Sequence, residues 1–424
     1  MLVAIVVCAI VLLGSLIPPH YLILSTLLAF LGASMPIVNL GGALNQFRWV
    51  MLFALALGML FRSSVQKSRS VWHPMHMCVF GFVLYAVISS SYSANGLMTA
   101  LKAGTFGCLA VAVMLYGRLE SGDQSGGPCK LLGQVYWCAV MVALGCALGA
   151  IHVLPMRPGY FAGPFGNPNS LGAFIPLVAP VLLLELLRSF DKSPQIRAAN
   201  VLLTVAYFIL LFMSRSRAGL VATFLACGWW LFFAHRRAFG LFLGGALFAA
   251  VIMGLYFPEN VQNLNRVYVL KGSSYALKSR GELISASWEA AKESPLVGVG
   301  FGVSKGYSED WQFAFESGAA GREKANSFLA LVEEVGLVGA AFLLLPLGWV
   351  LVTAIQRLML FRRRHQMGEE FWVTLTLSAC LVGGLGNAFF EAWLTSVGFF
   401  STILFWLAFG VLAARLTTPL RVSR

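Results

Sequence analysis

The sequence predicts an all-α polytopic membrane protein, with twelve or thirteen transmembrane helices and one long extracytoplasmic loop containing short helices. Three observations predict it. The 424 residues are 58% hydrophobic and only 11% charged, whereas a soluble domain carries about 25% charged residues. Apolar runs of roughly the 20-residue bilayer length recur along the chain. The short alternating segments that would build a transmembrane barrel are absent from the sequence.

In chain order the apolar segments fall at about 1–17, 20–38, 47–61, 75–92, 98–117, 131–151, 171–189, 199–213, 218–234, 238–257, 335–355, 372–392 and 396–414. The first two count as one if they form a broken pair around Pro18-Pro19. Met1 to Ile17 lacks a basic leading region and a small-residue cleavage site, so it reads as a first span rather than a cleaved signal. Four regions follow: N-terminal spans 1–151, spans 152–257, a long loop 258–334, and C-terminal spans with a tail 335–424.

Charge sets the orientation. Arg62, Lys67, Arg69, Arg118, Lys130, Arg188, Lys192, Arg197, Arg236, Arg237, Arg357, Arg362, Arg363, Arg364, Arg415, Arg421 and Arg424 all fall on one side if the spans alternate. They are 17 of the 30 basic residues, and the side that holds them is cytoplasmic. The net charge of +13 therefore reads as an orientation signal. No basic-aromatic motif points to nucleic acid. The long loop carries eight basic and eight acidic residues between 258 and 325, and long loops cross regardless of charge. The eight cysteines are scattered and the six histidines form no ligand pattern, so no disulfide framework, metal or cofactor is expected.

Five polar constellations lie on the other, extracytoplasmic side. Gly166-Asn167-Pro168-Asn169-Ser170 leads into a span; it fits a turn and cap, or amides offered to sugar hydroxyls or phosphate oxygens. Ser214-Arg215-Ser216-Arg217 sits between two spans. Arginines at a span end can snorkel, but a guanidinium also pairs bidentately with phosphate, which reads as a diphosphate clamp. Arg280 opens an amphipathic stretch around 281–293 containing Trp288, before the turn Gly298-Val299-Gly300-Phe301-Gly302. Asn326-Ser327 precedes a span with Glu333 and Glu334 seven residues on, placing Asn326 and Glu333 on one helical face. Asn387 and Glu391, four apart, would share another. A carboxylate at membrane depth is a functional hypothesis, and a salt bridge to a nearby arginine is its plain alternative.

At these residues the chain resembles the O-antigen ligase and polysaccharide polymerase superfamily of bacterial membrane glycosyltransferases. Four pieces carry the resemblance, in order, over about residues 150–414: Gly166-Asn167-Pro168-Asn169, Ser214 to Arg217, Arg280 with Trp288 and Pro295 to Gly302, and Asn326-Ser327 with Glu334 to Gly339. The resemblance implies transfer of a glycan from an undecaprenyl-diphosphate carrier at the outer face of the bacterial inner membrane, without metal, cofactor or nucleotide sugar. It implies a glycan or lipid acceptor, membrane lipids and other polysaccharide export proteins as partners. It places the diphosphate on Arg217 (or Arg215, since the doubled Ser-Arg leaves the register open) and Arg280.

One departure matters. Ligases of this group carry a histidine immediately before the late asparagine, where this chain has Ala325. Alanine cannot accept a proton. Weight therefore moves to polymerisation of exopolysaccharide or O-antigen repeat units, with Glu391 and Glu334, then Glu323, as candidate bases. In this reading Asn167, Asn169 and Asn326 orient glycan, and inversion at the anomeric carbon follows from the resemblance. The competing readings are a ligase with a substitute base, a transporter of lipid-linked glycan, and a non-catalytic binder of the carrier lipid. Polar motifs gathered at one face, without a convincing repeat, argue against transport.

Overall fold

The computed structural model describes residues 17–35, 43–65, 73–122, 129–150, 161–165, 167–256, 275–304 and 324–418. Every regular element among them is helical. In order they are α1 Pro19–Ala33, α2 Ala43–Val65, α3 Pro74–Ile88, α4 Gly96–Gly122, α5 Lys130–Ala150, α6 Pro168–Ser189, α7 Pro194–Ser214, α8 Arg217–Ala234, α9 Arg236–Tyr256, α10 Tyr275–Glu293, α11 Ser327–Arg363, α12 Glu369–Ala388 and α13 Phe400–Thr417. Among the described residues, ten helices are long and apolar enough to cross a membrane, and α1 is a shorter apolar helix. Segments two to thirteen of the sequence reading each correspond to one helix, and the amphipathic stretch in the long loop is α10. The first expected segment and Glu323 lie outside the described residues.

The bundle centres on α13, α12 and α6, which are the most deeply buried spans. Small residues let them approach closely, as helices in lipid must when no hydrophobic force drives them together. Gly117 of α4 meets Gly410 of α13 so closely that a Cβ on Gly117 would lie 2.1 Å from the Gly410 carbonyl oxygen. Gly383 of α12 packs against Ala226 of α8 and Pro176 of α6 in the same way.

One end of the bundle is a belt of ion pairs. Arg188 bridges Glu185 and Glu369, the former at 2.7 Å. Arg415 pairs with Glu370 at 2.6 Å. Arg357 caps the end of α13 by donating to the carbonyls of Arg415, Leu416 and Thr418.

The opposite end holds a break that the sequence did not announce. Inside α11, Gly336 adopts φ 64°, ψ −174°, a conformation essentially confined to glycine. The break opens two bonds that a continuous helix would make, Leu337 to Glu333 and Val338 to Glu334. The loop after α10 replaces both. Leu337 and Val338 donate to the carbonyls of Pro295 and Leu296, at 2.8 and 3.2 Å, while Val299 and Gly300 donate to those of Glu333 and Glu334, at 3.0 and 2.9 Å. Positive φ at Gly298 and Gly300 lets the loop backbone lie against the helix, and Phe301 then inserts between Phe82 and Phe106. The glycine-rich turn is thus a staple binding the long loop into the bundle.

A Cβ on Gly336 would lie 2.2 Å from the Leu296 carbonyl. Gly336→Ala is expected to lower stability by about 3 kcal/mol, combining φ/ψ strain with displacement of the loop. Unfolding in detergent followed by tryptophan fluorescence checks this, with Gly348→Ala as the control because open space surrounds that position.

Candidate glycan-transfer site

The Ser-Arg-Ser-Arg stretch forms the corner between α7 and α8. Arg215 ends α7 in the left-handed conformation, φ 52°, and its N–H donates to the Phe212 carbonyl at 3.1 Å. Ser216 is the N-cap of α8, its Oγ accepting from Gly219 N at 3.2 Å. Ser214 Oγ accepts from Ser216 N, also at 3.2 Å. Both serines are buried, so they belong to the architecture of the corner. Arg215 and Arg217 are half-buried and each interacts with other groups of the protein.

The corner packs directly on the start of α6. A Cβ on Gly172 would lie 2.1 Å from Ser216 Oγ, and one on Gly219 would lie 2.7 Å from the Gly172 Cα. Only glycines allow this crossing, and it sets the arginine corner beside the Asn167–Asn169 turn. Asn167 is the N-cap of α6, its Oδ1 accepting from Asn169 N at 2.9 Å, and Pro168 follows at the first helical position.

Beside that turn opens a cavity of about 670 Å³, lined by Asn167, Asn169, Glu334 and Glu391 from the expected set. Its cationic lining among the described residues is Arg48, Lys102 and Lys324; Arg215, Arg217 and Asn326 do not line it. Arg48 stacks on Trp49, 4.9 Å from the ring centroid, and donates to the Gly398 carbonyl at 3.0 Å. Among the described residues no carboxylate pairs with it. Sequence reasoning missed Arg48 and Lys102 because they stand in the first 150 residues, read there as plain spans. The available signal was position: both lie at the starts of spans whose other ends carry Arg62 and Arg118. Arg280 falls within α10, and its side chain lies outside the described residues.

The candidate carboxylates differ sharply. Glu334 is buried and committed: Lys324 Nζ approaches it at 2.6 Å, and Gly302 N donates to its second oxygen at 2.9 Å. Lys324 also lies 3.7 Å from the buried Glu333 and donates to the Val303 carbonyl. Together these groups lock the loop staple to α11. Glu391 is half-buried on the cavity wall. Its N–H donates to the Asn387 carbonyl at 3.0 Å, one turn on from Asn387, although the regular helix α12 ends at Ala388. The expected face pairing of Asn326 with Glu333 is absent, since Asn326 precedes the helix.

Asn326 and Ser327 hold the Glu391 loop. Asn326 caps α11 by accepting from Phe328 N and Leu329 N, and its amide donates to the Phe389 carbonyl at 2.7 Å. Ser327 Oγ donates to the Glu391 carbonyl at 2.6 Å and accepts from Trp393 N and Leu394 N. Trp393 Nε1 in turn donates to Asn387 Oδ1 at 2.8 Å, and Asn387 reaches the Gly172 carbonyl at 3.4 Å. A chain of contacts therefore connects the Glu391 loop to the α6–α8 crossing.

Residues 202–344 match the family model described as O-Antigen ligase. Over this segment the chain is similar to the O-antigen ligase family. The matched span contains Arg215, Arg217, Arg280, Asn326 and Glu334, while Asn167, Asn169 and Glu391 lie outside it. The chain is also similar to the exopolysaccharide production protein ExoQ of Rhizobium meliloti (strain 1021), with 28% identity over 237 residues, 52% of each chain. It thus spans about half the length of the curated relative that it matches.

Removing one partner of a buried ion pair leaves the other charge uncompensated, which costs about 3–5 kcal/mol. Glu334→Gln and Lys324→Met are each expected to destabilise on that scale, and the double variant to recover part of the loss. A double-mutant cycle on unfolding free energy measures the coupling.

Proposed function

We propose that the protein polymerises lipid-linked glycan repeats, extending exopolysaccharide or O-antigen on an undecaprenyl-diphosphate carrier at the outer face of the bacterial inner membrane. The observation that carries this reading is the shared end of the bundle: Glu391 and the two asparagines line one cavity, and the arginine corner abuts it through the Gly172–Gly219 crossing. The ion-paired belt at the other end fits the cytoplasmic side.

In this reading Arg215 and Arg217, joined by Arg280 from α10, hold the donor diphosphate. Asn167 and Asn169 orient glycan hydroxyls from the cavity wall. Asn326 serves the glycan indirectly, because both ends of its amide are engaged in fixing α11 and the Glu391 loop. Glu391 takes the proton from the acceptor hydroxyl. The acceptor oxygen forms a bond to the anomeric carbon as the bond to the diphosphate oxygen breaks. The electron pair leaves with the diphosphate, whose charge the preorganised guanidiniums stabilise, and the configuration inverts. Glu334 is a poor base here, since its charge is already neutralised by Lys324.

Arg215 sharpens the proposal. A left-handed conformation costs a non-glycine residue about 1–2 kcal/mol. An arginine kept there makes sense if its guanidinium is used.

The test is an elongation assay with the purified protein in nanodiscs and an undecaprenyl-diphosphate-linked repeat. Lengthening of the lipid-linked glycan is expected. Transfer only to a non-carrier acceptor would favour the ligase reading, and movement of lipid between leaflets without product would favour transport. Glu391→Gln is expected to slow elongation about 10²–10⁴-fold, and unchanged rates would remove it as the base. Arg215→Gly is expected to raise stability by about 1 kcal/mol while lowering turnover. Full activity in that variant would show that the corner arginine does not contact the diphosphate.

A further inference from the structure

At the ion-paired end of the bundle lies a second concavity, far from the cavity just described. It is a groove of about 690 Å³ between the second half of α8, the start of α9, the last turns of α11 and α12. Phe224, Trp229, Phe232, Phe233 and Phe239 make it an aromatic slot, and Arg236, Arg362 and Arg363 stand at its edge.

The arginines give the slot its charge. Some guanidiniums at this end meet carboxylates, Arg188 with Glu185 and Glu369 and Arg415 with Glu370, while others, such as Arg357, meet carbonyls instead. Among the described residues, no carboxylate pairs with Arg236, Arg362 or Arg363. Arg362 donates to the Phe232 carbonyl at 3.1 Å, and the Arg236 guanidinium lies 5.9 Å from the Phe232 ring. Two cations thus converge on one aromatic residue, with a third beside them. Three positive groups gathered without a counter-charge repel one another unless an anion joins them.

The slot is open from the side. Phe224, Phe232 and Met359 are each about two-fifths exposed, on helices of a bundle that spans a membrane. An apolar slot at that position is filled from the bilayer by hydrocarbon. A phospholipid would supply both an anion for the rim and a hydrocarbon chain for the slot.

We propose that this groove is a binding site for an anionic phospholipid, with the phosphate held by Arg236, Arg362 and Arg363 and an acyl chain lying in the Phe224–Phe239 slot. Arginine suits the phosphate because its planar fork donates two parallel hydrogen bonds to an oxyanion. Basic pockets between transmembrane helices on the cytoplasmic side favour anionic headgroups on these grounds. The groove is separate from the transfer cavity and shares no residue with it, so the site does not rest on the proposed reaction.

Native mass spectrometry of the detergent-solubilised full chain tests the proposal, using dioleoyl phosphatidylglycerol and dioleoyl phosphatidylcholine at equal concentration. The expected result is retention of phosphatidylglycerol over phosphatidylcholine by about tenfold or more, since cations near the membrane surface attract anionic headgroups. The triple variant R236Q/R362Q/R363Q should lose that preference, with its thermal unfolding recorded alongside. The single variant R363Q, at an exposed position, should reduce it about two- to fivefold and covers the case in which the triple variant does not fold. Phe232→Ala should weaken both lipids. R197Q, a charge removal away from the groove, should leave the preference unchanged. Equal retention of the two lipids by the unaltered protein would overturn the proposal. So would a loss in R197Q matching that in the triple variant, which would reduce the effect to general surface charge. Full competition by millimolar inorganic phosphate would do the same, since it would leave a phosphate site without a lipid.

Discussion

The structure depends on a constraint imposed by apolar surroundings: a backbone N–H or C=O removed from water must find a partner within the protein. At Gly336 a helix gives up two of its own hydrogen bonds, and a loop from outside the span supplies two donors and two acceptors in their place. Almost everything at this end of the bundle follows. The exchange fixes residues 295–300, which delivers Phe301 into the core and Gly302 to Glu334. Glu334 then needs Lys324, and Lys324 closes the loop from its other end. The cavity wall is therefore built partly from a segment that, in sequence, belongs to a loop.

This arrangement separates two jobs that the sequence could not distinguish. Polar residues around the late motif differ in what they hold. Glu333, Glu334 and Lys324 form a buried cluster of two carboxylates about one ammonium. Asn326 and Ser327 spend their capacity on the backbone around Glu391. Glu334 and Glu391 both line the cavity, the first from within that cluster and the second from a loop steadied by its neighbours. The same division holds at the α7–α8 corner, where buried serines shape the turn and the arginines beside them stay partly exposed.

Hydropathy made the bundle legible from sequence, because the length of an apolar helix is a one-dimensional property. Segments such as 171–189 and 199–213 appear as α6 and α7 within a few residues. The staple was not legible. It joins Pro295 and Leu296 to Leu337 and Val338 across some 40 positions, through backbone groups that every residue carries. Arg48 was hidden for a related reason: nothing near it in the chain marks it as polar machinery, and only folding brings Gly398 to its guanidinium. The Asn387–Glu391 interval falls at the end of α12, where the regular helix stops at Ala388 and a last backbone bond from Glu391 N to the Asn387 carbonyl closes the turn. The glycine-rich turn had been visible as a motif, but its partner had not.

The staple also bears on Arg280, which sits on α10 thirteen residues before Glu293, the last residue of that helix. At 1.5 Å per residue, that is about 20 Å of rigid rod, and the chain becomes fixed to α11 within a few residues of the rod's end. Arg280 thus rides on the tip of a lever whose pivot is Ser294 to Gly298. A tilt of 10° about that pivot carries its Cα through an arc of about 3.5 Å, on the scale of one hydrogen bond, while the cavity wall below the pivot keeps its place. On the proposed reading, a cation mounted in this way reaches a bulky ligand through movement of α10 alone, against the contacts of its buried Ser287, Ala290 and Ala291.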